Sequence, residues 1–328
     1  MNAFNFKTLF VIILQVLGAM LAFVVSLIIA NLLLPLAPEI SAAGQTATGF
    51  LTPPLAFLFN AFVNGVILVW AARRSSFRGM ALFGQLLVLS FGAQVFMTQI
   101  ETGYFLSAFP LLRDNFQLYN LVLRGLVTSL LFCLMVTALC GGFTRRPRPQ
   151  AAFRVTARRA VKHGAWLPLV YIVLYLLFGY FVAWQVQELR LFYGGPAALN
   201  GFFEQWGLTA MAKPEFPVFQ YFRGVLWLLC LIPLFMGFTG KRAELIVLSA
   251  LALALLPTAQ LAFANPLMPA GVSFAHFWEV ALSTGIFGAL CAWFVAEAIG
   301  GEGVSGDAVD QPSARSHSPH ASGYMTGH

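Results

Sequence analysis

The sequence predicts an all-α polytopic membrane bundle of about eight transmembrane helices, and three observations carry that reading. Hydrophobic residues make up 59% of the chain and charged residues 9%, whereas soluble domains are near half apolar and about a quarter charged. Apolar stretches of about 20 residues recur, the length that crosses ~30 Å of hydrocarbon at ~1.5 Å per residue. The basic residues sit in short clusters between those stretches. A soluble fold of 328 residues could not cover its surface with so few charges. The 33 Phe and a mean hydropathy of +0.80 exclude a disordered or fibrous chain.

The stretches are Leu9 to Leu34, Leu55 to Ala72, Met80 to Met97, Leu118 to Leu139, Trp166 to Trp184, Phe219 to Phe238, Leu245 to Phe263 and Phe274 to Ala298. The first follows Lys7 in the manner of a secretory signal, but its run is longer than a cleaved signal's and ends at Pro35. It reads as a retained span. Residues 1–299 form the transmembrane domain, and the Gly-, Ser-, Asp- and His-rich tail 300–328 reads as a disordered cytoplasmic end.

Orientation follows from Lys and Arg in the short loops. With eight spans, Lys7, the Arg73, Arg74, Arg78 turn, the seven cations between Arg145 and Lys162, Lys241, Arg242 and Arg315 share one side. Arg113, Arg124, Arg190, Lys213 and Arg223 are left on the other. The fourteen-to-five split places both termini in the cytoplasm, in a bacterial-style inner membrane. The connection from Gln185 to Val218, with Phe202, Phe203, Trp206 and Phe216, suits a helix lying on the membrane surface, or a lid over an outer cavity.

Several function classes fall away. The net charge of +7 is a topology signal and not a basic face, so nucleic acid is not a partner. Cys133, Cys140, Cys230 and Cys291 lie inside apolar segments and read as inert thiols. No metal site and no cofactor are expected: His163 and His276 belong to opposite faces, against a membrane haem, and zinc, nucleophile-elbow and phosphate-loop motifs are absent. No aspartate lies in a span, against an intramembrane aspartate protease.

One internal similarity stands out. The fourth span runs Leu123-Arg124-Gly125, Cys133, Gly142-Phe143-Thr144, and the sixth runs Phe222-Arg223-Gly224, Cys230, Gly237-Phe238-Thr239. Each follows a helix ending in Gln and Glu, so the implied unit is a parallel helical hairpin. Asn31 before Pro35 and Asn265 before Pro269 give a weaker echo.

Charges at membrane depth pair up or line cavities. At ~1.5 Å per residue, Arg124 lies about 28 Å and Arg223 about 22 Å above the cytoplasmic ends of their helices. Glu101, Glu188 and Glu279 fall at the same level, with Gln99, Gln185, Gln187, Gln220 and His276 nearby. On the third span, Ser90, Gln94, Thr98 and Glu101 form one helical stripe, and Asn60 and Asn64 repeat the pattern on the second. The candidate ligand site is Arg124, Arg223, Glu101, Glu188, Gln99, Gln185 and Glu279. Its arginines would hold an anionic small molecule or lipid headgroup that the glutamates orient. Three roles fit: a transporter-like protein handling a small solute or lipid, an accessory subunit in which these residues only pin helices, or a membrane enzyme acting on a lipid-linked substrate.

Overall fold

The computed structural model describes residues 6–112, 115–144 and 147–299, so the tail expected from residue 300 lies outside the described residues. Seven helices are long and apolar enough to cross a membrane: Phe6–Leu33, Pro53–Arg73, Gly79–Tyr104, Phe116–Leu139, Ala157–Ala183, Phe216–Gly237 and Ala270–Val295. The chain is an integral, multi-span helical membrane protein. Such a protein must satisfy its backbone internally, and helices do so within each segment.

The seventh expected stretch is built differently. A helix runs from Arg242 to Leu255, breaks around Pro257, and resumes as a 3-10 turn at Ala259–Ala262. Proline lacks the N–H that would continue the ladder, and its ring crowds the preceding turn. The segment still rises through the bundle. Arg242, at its start, donates to the Trp293 and Ala296 carbonyls, and Gln260, at its end, donates to the Gln94 carbonyl 3.1 Å away. Gln94 lies 15 residues along the third span from Gly79, about 22 Å up. Among the described residues the bundle therefore has seven long spans and one broken segment that rises beside them.

The third span carries a π-helical stretch, Val88–Phe96. It sets Gly92 so close to Cys230 that an added Cβ would lie 2.7 Å from the sulfur. The polar stripe on this span faces inward, with Ser90 and Gln94 buried, and Asn64 is buried while bonded to Asn60.

One end of the bundle gathers the basic loops. Ser76 N–H donates to the Gly237 carbonyl and Gly79 N–H to the Gly142 carbonyl, so the Arg73 to Arg78 turn is held by the matching glycines of the two similar hairpins. Strands Phe153–Arg154 and Glu297–Ala298 pair antiparallel and tie the long basic loop to the last helix. Gln15 and Arg73 join the first helix to the same end. Arg148 spreads its guanidinium over three carbonyls, those of Ala72, Ser75 and Cys140, at 2.8, 3.0 and 3.0 Å. Ala72 lies in the last turn of the second span, and Ser75 and Cys140 lie just beyond the ends of the second and fourth spans. Arg148 thus ties the ends of the second and fourth spans together.

Arg148→Ala should lower unfolding stability in mixed micelles by about 1.5–3 kcal/mol, the scale of hydrogen bonds to a charged group. Arg148→Lys should recover only part, because an ammonium cannot fork across three carbonyls. Equal stability of wild type and Arg148→Ala would contradict that role.

Candidate functional site

The polar level at the far end is organised around one ion pair. Arg223 on the sixth span donates from both terminal nitrogens to Glu101 on the third, at 2.8 and 2.6 Å, and from one of them to Gln220 Oε1 at 3.0 Å. The arginine side chain is 3% exposed and that of Glu101 24%. Tyr171, Tyr175 and Phe219 surround the guanidinium with ring centroids 5.8–5.9 Å away. Gly224 makes this approach feasible: an added Cβ would lie 2.8 Å from the Pro168 Cα, so the fifth and sixth spans touch there. Gly125 does the same for the third and fourth spans, packing on Val95.

A second polar pair adjoins the first. His276 Nδ1 meets Glu279 Oε2 at 2.8 Å, and His276 Nε2 meets the Tyr193 hydroxyl at 2.9 Å. Two carboxylates, one guanidinium and one imidazole are neutral together when the histidine and Glu279 share a single proton, and net charge is costly at this depth. Tyr193, outside the spans, has its phenol pushed well above the usual range, by burial first and then by Glu101 and Glu279.

These residues floor a cavity of about 610 Å³, within the usual range of small-molecule sites. Its walls include Phe105, Tyr175, Trp184, Trp206 and Phe216, and its floor Glu101, His276 and Glu279. The connection after the fifth span supplies the rest. Helix Phe202–Ala212 turns Gln205, Trp206 and Thr209 toward the cavity and leaves Phe203 and Met211 more than four-fifths exposed. This agrees with the expected amphipathic surface segment. Arg190 holds the loop below it, donating to the carbonyls of Trp184, Gln185, Pro196 and Ala197. A smaller cavity of about 240 Å³ adjoins, sharing Glu101, Tyr193 and His276 as walls and adding Gln99, Arg223 and Gln260 beside the Pro257 break.

Of the sequence-derived site residues, the structure brings together Arg223, Glu101 and Glu279, with Gln99 on the smaller cavity. It does not bring in the other three. Arg124 is part-exposed; its carbonyl accepts the Thr128 hydroxyl, but its guanidinium makes no hydrogen bond or ion pair among the described residues. Gln185 bonds to the Tyr180 carbonyl, and Glu188 is exposed against Gly271 at the start of the last helix. None of the three lines either cavity. Depth along a helix puts a residue at the right level, but only the azimuth decides what it meets. Sequence reasoning missed Trp184, Tyr175 and Tyr193 as walls. Lys213, counted only as an outer cation, stands over the Tyr104 and Phe105 rings at 4.8 and 4.6 Å and also lines the larger cavity. The His276 and Glu279 spacing of three was a readable signal, since it puts both on one helix face.

No family model matches the chain, and neither a curated protein nor a solved structure matches it.

Glu101→Gln should cost about 3–5 kcal/mol, because it strands a guanidinium 3% exposed, and Arg223→Gln less, because the carboxylate it leaves is 24% exposed. The double variant should be clearly more stable than the Glu101→Gln single, and Arg124→Gln should change little. A double-mutant cycle showing additive losses would remove the pair from its central place.

Proposed function

We propose that this membrane protein handles a small solute or lipid in the manner of a transporter, with the larger cavity as its ligand site and that cavity facing away from the cytoplasm. The observation that carries this is the cavity itself: about 610 Å³, with aromatic walls and a floor of paired ionisable groups. Concave, largely apolar sites with a few convergent polar groups are where ligands bind. The proline-broken seventh segment beside the smaller cavity supports the transporter-like form, since interrupted helices that line cavities commonly frame transport sites. The basic end, with its helix-capping arginines, belongs in the cytoplasm of a bacterial-style inner membrane.

The accessory-subunit reading is favoured by one observation: Glu101 already occupies the Arg223 fork. That pair pins the third span to the sixth, and its Glu101 also lies on the cavity floor. In this proposal it is a support, and the ligand sits above it. An enzyme acting on a lipid-linked substrate has less behind it, because the two cavity carboxylates are both engaged with basic partners.

The test is native mass spectrometry of the protein carried into nanodiscs directly from its host membrane, comparing wild type with Ser107→Trp. Ser107 is an exposed wall residue, and the variant sets a bulky ring beside the cavity. A bound species present on wild type and lost from Ser107→Trp is the expected result. Identical bound species on both proteins would leave the accessory role as the better account.

A further inference from the structure

From the charges and unpaired donors of the larger cavity we infer the class of its ligand: an amphiphile with an apolar body and an anionic, oxygen-rich head, a phosphate or carboxylate. This rests on the cavity being the ligand site. It reassigns the recognition of the anion from the arginines to Lys213, Trp184 and Trp206.

The charge balance comes first. Glu101 is neutralised by Arg223, and His276 with Glu279 is neutral when the two share one proton. Lys213 is the remaining charge on the wall. It makes no ion pair among the described residues. Glu215 interacts with its charge, but that carboxylate accepts the Tyr104 hydroxyl at 2.9 Å and does not line the cavity. With that proton shared, Lys213 is the charge the cavity lining presents, beside aromatic walls that strengthen its attraction for an anion.

The donors point the same way. Trp184 and Trp206 line this cavity, and their Nε1 atoms are buried with no acceptor among the described residues. A buried indole N–H normally finds a partner, and leaving one unmade is costly. A ligand head bearing several acceptor oxygens pairs with the ammonium and brings the kind of acceptor that each indole lacks. A quaternary ammonium head would satisfy none of the three, although aromatic walls by themselves could attract it. The apolar body has Phe105, Leu189 and Phe216 to lie against.

Such a head could belong to a lipid or to a water-soluble amphiphile, and the test separates them. The protein is reconstituted in phosphatidylcholine nanodiscs and titrated by equilibrium dialysis with three probes of equal chain length: octyl phosphate, octyltrimethylammonium and octyl glucoside. Saturable binding of octyl phosphate is expected to exceed that of the other two. Lys213→Gln should weaken it roughly tenfold or more, and Trp184→Phe and Trp206→Phe several-fold each, keeping the ring and removing the N–H. Competition by phosphatidic acid added to the nanodisc would identify a lipid source. Its failure to compete would identify a soluble one, and either result supports the anionic class. Preference for octyltrimethylammonium, or octyl phosphate binding unchanged in Lys213→Gln, overturns the inference while leaving the cavity as the site. Binding of every probe unchanged by Ser107→Trp overturns the cavity reading instead.

Discussion

A guanidinium held at 3% exposure within a membrane bundle cannot stand without an anion, and the rest of the polar level depends on how Arg223 finds one. Its partner is a helix away in space and 122 residues away in sequence. Holding that partner requires the third and sixth spans to lie at one rotation relative to each other. It also requires Gly224 to let the fifth span close in, which brings Tyr171 and Tyr175 around the charge. A bidentate contact of this kind is geometrically demanding. Its net contribution to stability is small beside the cost of breaking it, so its main consequence is to fix an arrangement. That arrangement leaves Glu101 on the floor of a cavity whose other walls come largely from the loop and helix above.

The two ends of the bundle solve different problems with the same residue type. At the basic end, Arg148, Arg159 and Arg242 donate to helix carbonyls and draw the loops closed. At the far end, Arg190 gathers four carbonyls of a single loop and shapes the wall that carries Trp184. The basic end is thus stitched across many segments, whereas the far end remains concave. Broken and widened helices lie between them, where Gln260 of the interrupted seventh segment bonds to the π-helical third span. Irregular backbone at membrane depth is tolerated only where protein or a polar cavity satisfies it, and both conditions meet at this point.

Much of this was legible in the sequence, for identifiable reasons. Apolar run length is set by the thickness of hydrocarbon, so the crossings could be counted, and the stripe of Ser90, Gln94 and Glu101 marked a buried face. Depth was also readable: Glu101, Arg223 and Glu279 share a level because each residue adds a fixed rise. Rotation was not readable. Arg124 and Arg223 occupy matching places in similar hairpins, yet only Arg223 faces an acid, since a few tens of degrees about the helix axis separate a pair from a part-exposed cation. Glu188 failed for the same reason. Pro257 was visible all along, but hydropathy averaged over the stretch concealed the break it causes. The aromatic walls gave no signal because Tyr and Trp in apolar helices look like ordinary core.

The account stands on the cavity lying at the opposite end from the basic loops and opening away from the cytoplasm. Single cysteines at Ser107 and Gln150, in a protein stripped of its four native cysteines, would be treated in intact cells with a charged thiol reagent that does not cross membranes. Labelling of Ser107→Cys from outside, with Gln150→Cys labelled only after lysis, is the outcome the account predicts. Labelling of Gln150→Cys in intact cells, with Ser107→Cys protected until lysis, would contradict it.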